Sequence, residues 1–140
     1  MFLTDQDYLV VVGESALRTI TQATPELRQN AERAAIEEIS SYLRPAYDVR
    51  SIFSAQQAER NPIIVTYTAD IALHHLISSL PQKMGSEVRR ERYERAIKWL
   101  EGVQAGRIIP DLPTPQPQQS SSPATHRITY SSAPPLRHDW

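Results

Sequence analysis

Cysteine is absent from this chain, which excludes disulfides, thiolate metal sites and cysteine nucleophiles together. Glycine is scarce, at four residues in 140. Neither a Gly-x-x-x-x-Gly-Lys nor a Gly-x-Gly-x-x-Gly phosphate loop occurs, and there is no nucleophile elbow. No apolar run reaches the length of about 18 residues expected of a membrane-spanning helix. The opening residues Met1-Phe2-Leu3-Thr4-Asp5 lack the basic stretch and apolar core of a secretory signal. An excess of either charge is also missing: 15 Lys and Arg face 16 Asp and Glu, for a net charge of −1. With a pI near 6.4, the chain is not expected to live on bulk attraction to DNA. One soluble domain, without enzymatic machinery, fits this length and composition.

What the chain does have is proline, unevenly placed. Seven of its eleven prolines fall within residues 110–140, together with Gln116, Gln118, Gln119 and the run Ser120-Ser121-Ser122. Proline at this density removes the amide donors that a helix or a central strand needs. Residues 110–123 are therefore expected to be extended or polyproline-like. The sequence divides into a body, 1–109, and an extended docking arm, 110–140.

Within the body the signals are helical, and the fold class expected is all-α, a small bundle of about four main helices. Thr4 with Asp5 and Asp7 reads as a helix start, and Gly13 as its stop. A further turn of helix is expected after Ser15, with Leu17 and Ile20 inward. Thr24-Pro25-Glu26 opens a second main helix. Its inward stripe is Leu27, Ala31, Ala34, Ala35, Ile39, Tyr42 and Leu43. Pro45 ends it near Arg44. Asn61-Pro62 repeats the cap-and-proline device, and the helix that follows to about Leu80 is apolar almost all round, so it should be central. Ser86-Glu87 opens the last helix, closed by Gly106. Val88, Tyr93, Ala96, Ile97, Leu100 and Val103 are expected inward, with Glu91–Arg95 and Glu94–Lys98 as surface pairs.

Candidate chemistry is thin. His74-His75, with Asp70 four residues earlier, is the one pattern that suggests a metal. Adjacent helical positions diverge by about 100°, however, and no third ligand is evident. No metal and no cofactor are expected. Glu37-Glu38 and the Asp5/Asp7 pair fit a helix surface and a helix start. The basic run Arg89-Arg90-Glu91-Arg92-Tyr93-Glu94-Arg95 is nearly neutralised by its own acids, which favours a solvated face over a nucleic-acid footprint.

The features that suggest partners lie elsewhere. Arg44, Tyr47 and Asp48 load a helix end that leads into a 13-residue connection, Val49 to Asn61, read as a long exposed loop. Arg and Tyr are favoured at interfaces. In the arm, Thr125 to Ser131 has strand-like composition, with Ile128 and Tyr130 as anchors that could add a strand to a partner's sheet. The end of the sequence, Pro134-Pro135-Leu136-Arg137-His138-Asp139-Trp140, resembles a docking peptide anchored by Leu136, Arg137 and Trp140.

Tyr42-Leu43-Arg44-Pro45-Ala46-Tyr47-Asp48, then Pro62 and Asp70-Ile71-Ala72-Leu73-His74, then Arg92-Tyr93-Glu94-Arg95-Ala96-Ile97-Lys98-Trp99-Leu100 and Gly106 together resemble the Mu-like family of tailed-phage head–tail adaptor proteins. The likeness covers most of residues 1–109. It implies a helical bundle with a C-terminal arm and a homo-oligomeric, dodecameric ring beneath the portal protein. It also implies contact with a tail-side neck or tail terminator protein, with genomic DNA passing through the channel without sequence-specific contact. Such a protein is made in the host cytoplasm and carried in the virion neck, with no membrane partner. The alternative reading is a small helix-turn-helix DNA-binding regulator or packaging accessory.

Overall fold

A computed structural model describes residues 2–13, 25–78 and 86–116. Thr4 opens the first helix, α1 (Asp5–Val12), with a reciprocal cap. Its hydroxyl accepts from the Asp7 N–H while the Asp7 carboxyl accepts from the Thr4 N–H at 2.7 Å. Two otherwise orphaned donors are thereby satisfied at the helix start. Gly13, at φ 82°, ends the helix in a backbone conformation that disfavours other residues. The expected turn around Ser15, Leu17 and Ile20 lies outside the described residues.

The second helix, α2 (Pro25–Leu43), and the central helix, α4 (Pro62–Ser78), follow the expected starts. The connection between them is not a loop. Asp48 caps a short helix, α3 (Val49–Ser54), and a 3₁₀ turn follows at Gln57–Glu59. Ile52 of α3 is buried, so even six residues contribute an apolar contact that holds them in place. Asn61 then caps α4, its Oδ1 accepting from the N–H groups of Ile63 and Ile64.

Helix α4 packs against α1, α2 and the last helix, α5 (Ser86–Gln104). Ile64, Ala69, Ile71, Ala72, Leu73 and Leu76 are buried on different sides of it, as its nearly continuous apolar surface requires. Thr68 is buried too, its hydroxyl satisfied by the Ile64 carbonyl at 2.6 Å. From α2, Ala31, Ala35, Ile39 and Leu43 complete the core, and from α5, Ala96, Leu100 and Val103. The described residues contain helices and turns only.

Three inward expectations are corrected. Leu27 is 41% and Val88 54% exposed, and Ala34 is also exposed. Leu27 and Val88 sit in the first turns of α2 and α5, where a helix has fewer neighbours than at its middle. On α5, Glu94 pairs with Arg90 at 3.1 Å rather than with Lys98.

After α5 the chain turns back on itself. Gly106, at φ 79°, lets the N–H groups of Arg107 and Ile108 reach the Gly102 carbonyl at 2.9 and 3.1 Å. The Ile108 side chain then lies over Gly102, within 2.6 Å of where a Cβ would stand. A side chain at this position would require the end of Ile108 to shift. Residues 110–113, assigned to the arm, continue the packed body. Leu112 is buried in the core, a contact worth about 1.5–3 kcal/mol of apolar burial.

Candidate interaction site

Arg44, Tyr47 and Asp48 share one turn. Pro45 has no N–H, so α2 ends there, and the Ala46 and Tyr47 N–H groups turn back to the Leu43 carbonyl at 3.1 and 2.9 Å. Tyr47 is half-buried and packs on the core. Arg44 is exposed and reaches Glu37 at 3.2 Å, with both side chains largely in solvent. Such a pair adds at most about 1 kcal/mol and leaves the guanidinium available at little cost.

The Asp48 carboxyl is committed within the chain. It accepts from the Ser51 N–H at 3.3 Å and from the Ser51 hydroxyl at 2.7 Å. These bonds hold its pKa below the usual carboxylate value. Its backbone N–H donates to the Pro113 carbonyl at 2.8 Å. The corner and the root of the arm, two separate features of the sequence, therefore meet.

Asn61 provides the second fastening. While its Oδ1 caps α4, its Nδ2 donates to the Asp111 carbonyl at 3.1 Å. Leu112, between these two bonds, is the apolar plug. Asn61, Leu112 and Pro113 were not among the residues expected at the site; the signal was an isolated leucine among prolines, at Pro110-Asp111-Leu112-Pro113. The expected anchors Ile128, Tyr130, Leu136, Arg137 and Trp140 lie outside the described residues.

Arg60 ties the same end of the bundle to the amino-terminal segment. It forks onto Asp7 at 2.6 and 3.2 Å and donates to the carbonyls of Phe2 and Gln57. Burial pulls the Asp7 carboxyl pKa up, but bonds from Arg60 and Thr4 outweigh it and leave the value lowered.

The histidines are structural in their contacts. His74 stacks on Tyr93, with ring centroids 3.9 Å apart. His75 Nε2 donates to Glu38 at 2.9 Å, and the Tyr93 hydroxyl donates to the other Glu38 oxygen at 2.6 Å. One carboxyl thus joins α2, α4 and α5. Burial first, and the hydrogen bond to Glu38 second, push the Tyr93 phenol up to about 12. Asp70 points to α5 instead of to His74: it accepts from Arg92 at 2.7 Å and lies 4.0 Å from Arg89. Part of the basic run is therefore turned into the α4–α5 seam, which corrects its reading as a wholly solvated face. Among the described residues no group of three or more His, Asp or Glu side chains is placed to hold a metal ion.

This arrangement defines a small helical bundle in which Arg44, Tyr47 and Asp48 stand beside the root of the arm, at residues 111–113. The family model of Bacteriophage Mu, Gp36 matches residues 2–128, and the chain belongs to that phage family. No curated protein and no solved structure matches it. None of the described helices is long and apolar enough to cross a membrane.

Proposed function

We propose that this chain is a structural virion protein, a head–tail connector that forms a ring under the portal, extends the DNA channel and joins the capsid to the tail. Membership of the phage family carries the reading. The fastening of the arm root beside the Arg44–Asp48 corner supports it, because a joint between two rings needs a rigid body and a reaching element that leaves it at a defined place. A near-neutral charge suits a conduit through which DNA slides, since many phosphate contacts would hold it. The role requires no catalysis, cofactor or metal. The arm orders on docking, and its new contacts offset the entropy lost.

The test is light-scattering mass of the full-length chain with and without the portal protein. Portal-dependent assembly into a higher-order ring is the expected result. A species that ignores the portal and shifts duplex DNA in a salt-sensitive way would overturn the reading in favour of the DNA-binding regulator. Trp140→Ala should weaken portal docking by about 2 kcal/mol or more if Trp140 is a buried anchor.

A further inference from the structure

We propose that the groove between α1 and α4 is the seat of the chain's own carboxyl-terminal peptide, residues 134–140, in the free protein. The groove is open to solvent and offers about 330 Å³. Its walls include Val10, Val11, Pro62 and Val65. Val10 is 78% exposed, one helical turn or less from the buried Tyr8. Gln6 and Gln57 stand at the rim, both exposed. Gln57 is held at φ 51°, a left-handed conformation uncommon outside glycine.

Two observations point to the occupant. The groove and the hollow under the arm root have Arg60 and Pro62 in common as lining residues, so the arm leaves the body next to the groove. Beyond Gln116 the sequence runs for 24 more residues, which extend to roughly 80 Å; residues 134–140 can return with length to spare. Their composition matches the groove. Leu136 and Trp140 supply apolar anchors, and Pro134 and Pro135 present carbonyls without N–H groups, which the side-chain amides of Gln6 and Gln57 can satisfy. Because the peptide is covalently tethered to the body, its docking is intramolecular, which raises its effective concentration at the groove. At micromolar protein, the chain's own peptide therefore outcompetes the same peptide from a second copy. Parked there, Leu136 and Trp140 are withheld from premature contacts. The proposal concerns the free protein and does not rest on the connector reading.

The absence of cysteine makes the test clean. Full-length chains carrying Ala58→Cys with Asp139→Cys, or Thr66→Cys with Asp139→Cys, which leave Leu136, Trp140 and the valine wall intact, are oxidised at several dilutions. Val88→Cys with Asp139→Cys serves as the comparison, since Val88 is exposed on the first turn of α5, outside the groove. The expected result is an intrachain bridge in both groove pairs, formed about tenfold faster than in the comparison pair and independent of dilution. Equal rates in all three pairs would overturn the proposal. So would covalent dimers whose yield falls on dilution, which would assign the groove to a second copy.

Discussion

Two buried carboxyl groups hold this bundle together in opposite ways. Glu32, on α2, is served by neutral donors: the Leu3 N–H at 3.1 Å and the Tyr8 hydroxyl at 3.3 Å. Arg28 contributes from a distance, its guanidinium lying 4.7 Å over the Tyr8 ring and reaching out to Asp5 at the surface. Burial pushes the Tyr8 phenol well above its ordinary value, and the neighbouring Glu32 charge adds to the rise. Asp70, on α4, faces two guanidiniums. Arg92 bonds it, while Arg89 stands 4.0 Å away with a buried Nη1 that has no acceptor. Burial, then the neighbouring Arg92, lower the Arg89 pKa. The first site knits an amino-terminal segment to the bundle through neutral donors, although Arg28 beside it also keeps a buried Nε without an acceptor. The second is over-supplied with positive charge. Burial of a carboxyl is tolerable in both, but only the second leaves a cation behind when the acid is removed.

The largest effect should come from Asp70→Ala. Breaking a buried ion pair costs about 3–5 kcal/mol, mostly from the charge left uncompensated. Arg92 is about a third exposed and can regain water, so the lower end, about 3 kcal/mol, is expected in urea unfolding. A loss under about 1 kcal/mol would show that the seam does not depend on Asp70. Glu32→Ala comes next. It leaves the buried Tyr8 hydroxyl and the Leu3 N–H without their acceptor, at about 1–3 kcal/mol. Adding Tyr8→Phe should recover part of that loss; strict additivity of the two changes would sever the link between them.

Arg89→Met should be neutral or stabilising by about 1 kcal/mol, because it replaces a half-matched buried cation with an apolar chain of similar reach. A clear loss of melting temperature would mean that Arg89 supports the seam in spite of its missing acceptor. The smallest effect concerns pH. Burial, then the charge of His75, lower the His74 pKa from its ordinary value of 6.5. The unfolded chain therefore binds the proton more readily, so this contribution is fully present above 6.5 and is lost as pH falls through the lowered folded value. His74→Phe, which retains a ring against Tyr93, should flatten that part of the profile below pH 6.5. An unchanged slope would assign it to other groups.

Much of this fold was legible in the sequence because helix starts are written in short-range chemistry. Thr4 with Asp7, and Asn61 before Pro62, satisfy donors within a few residues, so their reading needs no knowledge of the fold. The central position of α4 was legible for a similar reason: apolar residues around the whole helix demand neighbours on every side. Helix α3 escaped because six residues give too little periodicity to separate from a loop, although Asp48 and Ser51 spelled its start. Leu27 and Val88 carried the right spacing, but spacing does not reveal how far the neighbouring helices extend. At the candidate site, the corner residues were singled out from composition, and the structure places Arg44, Tyr47 and Asp48 on one turn. The fastening of the arm root was not legible, because Asp48–Pro113 and Asn61–Asp111 are long-range contacts whose acceptors are backbone carbonyls that every sequence possesses. The role of Asp70 was missed for the same reason: its partners lie on another helix.

Asn61 has one further consequence, which is mechanical. A pull on the arm is first resisted by the Asp48 and Asn61 bonds and by the seated Leu112. Both bonds end on residues that cap helices, so the load enters α3 and α4 at their first turns, where their hydrogen-bond ladders begin. Substituting Asn61→Asp would keep an oxygen for the helix start while removing the donor to Asp111, and so would uncouple the rope from its cleat without unpicking the helix behind it.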